Sequence, residues 1–202
     1  SIPAFTLNSS LENGYIHYTP LPKPVEKLGF NLQVSCPDNN YHHTSILLEN
    51  LDAKVLNNYV KGFLKIRNAA DFPVDAELDA MINLPDIAQF YPLDSMQIEG
   101  KLAMKVRSNG QYIPAKKIFP KTEAALKLEN ALLRTKYYPA PIQKIQVDAT
   151  IANKEGTFRD LAVDIQPISF EFEGKPFLVK ADLHNLENLH YDIESKGEID
   201  LG

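Results

Sequence analysis

IQVDATIANKEGTFRDLAVDI, residues 145–165, is the stretch that decides the fold. Ile145, Val147, Ala149 and Ile151 alternate with Gln146, Asp148 and Thr150. NKEG (153–156) then supplies turn chemistry. Beyond it, Leu161, Val163 and Ile165 alternate with Ala162 and Asp164. Successive side chains of a strand point to opposite faces, so this reads as strand, turn, strand. One side of the ribbon is oily and the other wet. What the oily side covers becomes the functional question.

The period of two recurs along the chain. Leu28, Phe30, Leu32 and Val34 alternate with Gly29, Asn31, Gln33 and Ser35. Ala76, Leu78, Ala80 and Ile82 form another set, and Ile98, Leu102, Met104 and Val106 a third. Phe170 and Phe172, then Val179, Ala181 and Leu183, then Tyr191, Ile193, Ile199 and Leu201 complete the series. Their alternates are largely charged, among them Lys180, Asp182, Asp192, Glu194, Glu198 and Asp200. Turn residues cluster at CPDNN (36–40), SNG (108–110), NKEG and EGKP (173–176). The fold class expected is all-β, mostly antiparallel, in an elongated or curved repeat-containing sheet. Short helices are expected only over 86–91, before Pro92, and over 115–119 within PAKKIFP.

KTEAALKLENALLRTK (121–136) is ambiguous, because its composition favours helix. An internal repeat resolves it. Shifted by 117 residues, LENGYIHYTPLPKPVEKLGFNLQVS (11–35) falls on LENALLRTKYYPAPIQKIQVDATIA (128–152). Leu28, Phe30, Leu32 and Val34 then fall on Ile145, Val147, Ala149 and Ile151. The same shift puts Asp75 on Asp192, Glu77 on Glu194 and Ile82 on Ile199. Asn13-Gly14 reads as a hairpin turn, and Asn130-Ala131 takes the same turn by the repeat, so 126–138 reads as strands. Repetition at a fixed period points to a modular architecture. The expected organisation is a first unit over 1–110 and a second, incomplete unit over 111–202, forming one continuous structural domain. The chain opens on SIPAF without Met and closes on a written strand. It is expected to be a piece of a longer protein, so a missing anchor or signal says little about the parent.

With a net charge of -5, the chain lacks the basic balance of a general nucleic-acid binder. Its single cysteine, Cys36, excludes an intrachain disulfide and reads as a small buried apolar residue. No apolar run approaches the roughly 20 residues of a membrane span. His42 and His43 are adjacent, and in a strand they would point to opposite faces, a poor start for a metal site. The acids recur on the polar side of apolar strands, which a solvated sheet face explains without a catalytic carboxylate pair. KKIFPK (116–121) reads as a solvated turn. Neither a nucleophile elbow nor a phosphate-binding glycine loop is written. The expectation is therefore a non-enzymatic chain without cofactor or metal. Two fates for the apolar faces stay open on pattern alone. They line the inside of a closed sandwich, or they merge into an open trough. A trough lined by Ile, Val, Leu and Phe would dissolve hydrocarbon, each CH₂ contributing about 0.8 kcal/mol.

Most of the chain, strongest over 135–202 and weak before residue 70, resembles the C-terminal region of AsmA-like proteins, in particular those of Bacteroidetes. The resemblance rests on Tyr137-Tyr138-Pro139-x-Pro141-Ile142, Pro167-Ile168-Ser169-Phe170 and Phe172-Glu173-Gly174-Lys175-Pro176-Phe177. The closing Tyr191-Asp192-Ile193-x-Ser195-x-Gly197-x-Ile199-Asp200-Leu201-Gly202 completes it, and NLPDIAQFYPLDSMQIEGKLAMKV (83–106) is similar to a neighbouring family segment. None of these is a catalytic motif, so specificity lies in their combination. The resemblance implies a periplasmic body of repeated β-structure whose parent is anchored in the inner membrane. It implies a part in outer-membrane biogenesis, related to TamB-like bridge proteins that carry phospholipid along a hydrophobic groove. The implied partners are a phospholipid or other apolar ligand and the adjacent repeats of the parent. Membrane contact would come through other parts of the parent. The residues expected to touch lipid are Phe30, Leu32, Val34, Val147, Ala149, Ile151, Val163, Ile165, Phe170, Phe172, Val179, Ala181, Leu183, Tyr191 and Ile193. The alternative is a sealed sandwich serving as a binding, adhesion or scaffold module.

Overall fold

The computed structural model describes residues 3–17, 24–67, 73–86 and 95–198. Eleven strands follow one another as a meander: β1 (Phe5–Ile16), β2 (Val25–Cys36), β3 (Ser45–Val55), β4 (Asn58–Ile66), β5 (Pro73–Asn83) and β6 (Met96–Gln111), then β7 (Lys121–Thr135), β8 (Tyr138–Asn153), β9 (Ala162–Phe172), β10 (Lys175–His184) and β11 (His190–Lys196). Each pairs antiparallel with the next, so the sheet order is the sequence order. The fold is all-β with little helix.

The alternation of the sequence becomes alternation of exposure. In β6, Leu102, Met104 and Val106 are half-buried, while Lys101, Ala103, Lys105 and Arg107 face solvent. In β7, Ala124, Leu126 and Leu128 are half-buried, while Glu123, Ala125 and Lys127 are exposed. The helix-favouring composition of β7 is overridden because its backbone pairs on both sides, with β6 and with β8. Glu173 and Gly174, both at positive φ, make the tight β9–β10 turn within the EGKP cluster.

Three local expectations are corrected. Asn13-Gly14 is not a hairpin turn but lies inside β1. There, three steps along β1 (Leu11 to Gly14) oppose two along β2 (Phe30 to Leu28). That is a β-bulge, and its extra residue, Asn13, takes a left-handed φ of 48°. The left-handed tolerance that makes Asn-Gly a turn pair serves a bulge equally well. Asn130-Ala131 is the same bulge in β7. SNG (108–110) lies within β6, where Ser108 pairs with both Ala76 and Thr122. The helical turn near 115–119 is a shorter 3₁₀ helix, Pro114–Lys116, ended by left-handed Lys117. Residues 84–86 are helical, and the rest of the expected 86–91 helix lies outside the described residues.

The pairings themselves repeat at the 117-residue spacing. Leu11 opposite Phe30 and Gly14 opposite Leu28 reappear as Leu128 opposite Val147 and Ala131 opposite Ile145. Val34 opposite Ile46 reappears as Ile151 opposite Val163. Leu64 opposite Ala76 reappears as Ala181 opposite Ile193. Left-handed residues recur likewise, Asn13 with Asn130, Lys27 with Lys144 and Leu56 with Glu173. β1–β5 and β7–β11 are thus two copies of one pairing scheme, with β6 between them.

Burial is thin. Among the described residues, the buried apolar ones include Cys36, Ala80, Ala131, Leu161 and Ala181. The surface is 13305 Å², whereas a compact globule of this mass exposes roughly 9,500 Å². A sealed sandwich would bury its inner side chains fully, and here most of the apolar-face side chains stay half-exposed. Aromatic rings also cluster among the loops around residues 112–119 and 153–158. Phe119 lies 5.8 Å from Phe158 and 6.0 Å from Tyr112, ring centre to ring centre. Asn153, 1% exposed, is fully engaged there. It donates to the Thr157 carbonyl (2.7 Å) and accepts from the Gly156 amide (2.6 Å). No helix among the described residues is long and apolar enough to cross a membrane.

Candidate apolar surface

Residues opposite each other across an antiparallel pair lie on the same face. The registers therefore trace rows of side chains across the sheet. One row runs Leu78, Val106, Ala124, Ile151, Val163, Leu183, Tyr191 from β5 to β11. Beside it run Val60, Ala80, Met104, Leu126, Ala149, Ile165, Ala181 and Ile193 from β4 to β11. A third runs Leu7, Val34, Ile46, Ile66, Val74 from β1 to β5, and a fourth joins Leu32, Leu48, Leu64 and Ala76. Every residue named is apolar.

The structure places all the expected lipid-contact residues on this one face. Phe30 alternates in β2 with Leu32 and Val34. Val147 pairs with Leu128, in register with the Leu126–Ala149 and Ala124–Ile151 pairs. Val179 stands beside Ile168. Phe170 pairs with Phe177, their rings stacked 5.2 Å apart, and the Phe172 ring meets Phe177 edge-on at 6.4 Å. Ala181 is buried by its neighbours, while Ile151, Ile193 and Tyr191 are 37%, 60% and 67% exposed. The others of the set are half-buried.

The surface is wider than expected. β3 and β4 contribute Ile46, Leu48, Leu51, Val60 and Leu64. SILLENLDAKV (45–55) hides its period because Leu47 sits between Ile46 and Leu48 but faces the polar side, opposite Lys65 and Gln33. A bulge at left-handed Asn50 then shifts the alternation so that Leu51 joins the apolar face. The pairings of its neighbours, not β3 alone, carry the missing signal.

The opposite face is a lattice of ion pairs. Lys65–Glu49 (2.7 Å), Arg107–Glu77 (3.0 Å) and Lys61–Asp52 (3.4 Å) bridge adjacent strands. Tyr59 donates to Asp79 at 3.0 Å, and this bond to a carboxylate raises the Tyr59 pKa above its ordinary value. Lys127, bonded to Glu129 at 2.8 Å, is raised, and Glu129 is lowered by the same bond. Such exposed pairs align strands more than they stabilise them. A shallow depression of about 480 Å³ among Glu77, Lys105, Arg107 and Glu123 belongs to this lattice.

His42 and His43 lie in a 3₁₀ turn (Tyr41–His43) rather than a strand. His43 Nδ1 is 2.6 Å from Asp38 Oδ2, and that bond, helped by the Asn40 amide, lowers the Asp38 pKa. His184 and His190 stack across the β10–β11 pair, their rings 5.6 Å apart. Among the described residues, no three His, Cys, Asp or Glu side chains gather to hold a metal ion. Cys36 is buried, its thiol donating to the Asp38 carbonyl at 2.8 Å. In KKIFPK, Lys117 pairs with Glu187 at 2.6 Å.

Comparison of the chain with protein-family models, with curated proteins and with solved structures returns no match.

Proposed function

We propose that this chain is a non-enzymatic part of an AsmA-like envelope protein of outer-membrane biogenesis, and that its apolar β-face carries phospholipid acyl chains. One observation supports this most. Apolar rows run from β4 and β5 to β11 and others join β1 to β5, and most of their residues stay half-exposed. The longest row, from β4 to β11, crosses eight strands, and at about 4.8 Å between strands it is a lane roughly 34 Å long. Exposed apolar surface of this extent costs free energy in water and marks an interaction site. Hydrocarbon is the simplest partner, since it asks for continuity and no directed bond. An acyl chain of about 16 carbons gains on the order of 10 kcal/mol gross at about 0.8 kcal/mol per CH₂. The ion-pair lattice on the other face suits contact with the aqueous periplasm, with the parent anchored in the inner membrane. Residues 1–110 and 111–202 would be successive units of a longer conduit.

The test is transfer of a fluorescent phospholipid from phosphatidylethanolamine–phosphatidylglycerol vesicles to the purified chain. Ala149→Asp and Ile151→Asp each place a charge in the lane and are expected to reduce transfer at least about tenfold, an unpaired charge being costly in hydrocarbon. Asp148→Asn, on the polar face, leaves transfer unchanged. Circular dichroism first confirms that each variant is folded. Equal transfer by three folded variants would refute the proposal.

A further inference from the structure

β5 and β11 are the same strand of the repeat. Residues 73–79 become 190–196 on adding 117, and their pairings with β4 and β10 coincide. Their surroundings differ. Pro73 to Asp79 are all half-buried, whereas His190 to Lys196 are all exposed. What β5 has in addition is β6 on its outer edge. Among the described residues nothing pairs with the outer edge of β11, and Tyr191 and Ile193 are 67% and 60% exposed beside it. An open edge presents a row of backbone donors and acceptors that accepts an antiparallel strand.

We propose that the outer edge of β11 docks a β6-type strand supplied by another unit of the same repeat. This rests on the strand registers and not on lipid binding. The β5–β6 register fixes the pairing. A cation would stand opposite Glu194, as Arg107 stands opposite Glu77 with Nη2 3.0 Å from Oε2. A glycine would stand opposite Tyr191, as Gly110 stands opposite Val74. An apolar residue would stand opposite Ser195, as Val106 stands opposite Leu78. One position differs. Lys196 replaces Asp79, which pairs with Lys105 at 3.8 Å. The true occupant should therefore carry an acid where β6 carries Lys105.

The probe is a fluorescent peptide of residues 96–111, titrated into the full chain by anisotropy. Saturable binding is expected, absent for a scrambled peptide and for one with Met104→Pro and Val106→Pro, because proline removes the ladder donor. Lys105→Glu in the peptide tightens binding, by roughly threefold. Glu194→Lys in the protein weakens it by a similar factor, and Arg107→Glu in the peptide restores it. Cysteine placed at Glu194 and at peptide position 107 cross-links faster than the same protein cysteine with peptide position 105. Binding of the scrambled peptide, cross-linking indifferent to register, or a β11–β11 dimer that the peptide leaves intact would each overturn the proposal.

Discussion

β1–β5 and β7–β11 pair their strands in the same register while sharing few residues. Leu28, Phe30, Leu32 and Val34 answer Ile145, Val147, Ala149 and Ile151, with no identity among the four pairs. What both copies keep is apolar character on one face and left-handed backbone at matched places. Those places set where a bulge or turn falls, and so which way each later side chain points. The copies also differ informatively. Left-handed Asn50 marks the β3 bulge, whereas its counterpart in β9 is Pro167, whose ring forbids positive φ. β9 still accommodates an extra residue between Ile165 and Ile168. The register is therefore held by the rows of apolar pairs, with the left-handed residue as one of several ways to make the step.

The largest effect is expected at Gly100, near the seam between the two copies. Its φ is 118°, and a Cβ there would lie 2.7 Å from the Ala131 Cα and 2.9 Å from the Glu129 carbonyl oxygen. Gly100→Val should cost more than about 3 kcal/mol, since backbone cannot yield as a side chain can. Urea unfolding would then show the copies melting separately, and one unchanged transition would sever β6 from its supposed role as the bridge. A smaller effect tests the equivalence itself. Asn13→Val and Asn130→Val each force a β-branched residue into left-handed backbone, at about 1–2 kcal/mol. The two losses in urea midpoint should agree within error, and a cost in only one copy would show that the shared register has different causes.

The smallest effect is a pH dependence at Glu187 in the second copy. Glu187 accepts from Lys117 at 2.6 Å and lies 3.5 Å from Arg159, and these cations lower its pKa. A carboxyl lowered on folding contributes stability that is present above the ordinary carboxylate range. That contribution is lost as pH falls through the lowered folded value. Exchange of the Leu186 amide, bonded to the Phe158 carbonyl at 2.9 Å, should accelerate relative to intrinsic exchange over that acid window. In Glu187→Gln the added acceleration should vanish.

Much of this was legible in the sequence. Period-two runs give β2, β5, β8 and β10 and assign their faces, because one side of each strand meets other apolar side chains and the other meets water. The repeat converts the helix-favouring 121–136 into strand. Bulges were not legible, because Asn-Gly permits a hairpin turn and a left-handed bulge alike, and only the facing strand decides. SNG read as a turn for the same reason, yet Ser108 and Gly110 face Ala76 and Val74 within a long strand. β3 was missed because Leu47 and the Asn50 bulge scramble its period. The expected contact residues do converge on one face, but its full width needed β3, β4 and β7.

The most direct measurement is native mass spectrometry of the whole chain purified from cells without detergent. A carrier of acyl chains should retain adducts of phospholipid mass that Ile151→Asp, if folded, loses. A bare mass alone, from a protein that also takes up no phospholipid when incubated with vesicles, would contradict the claim that the exposed apolar face holds lipid.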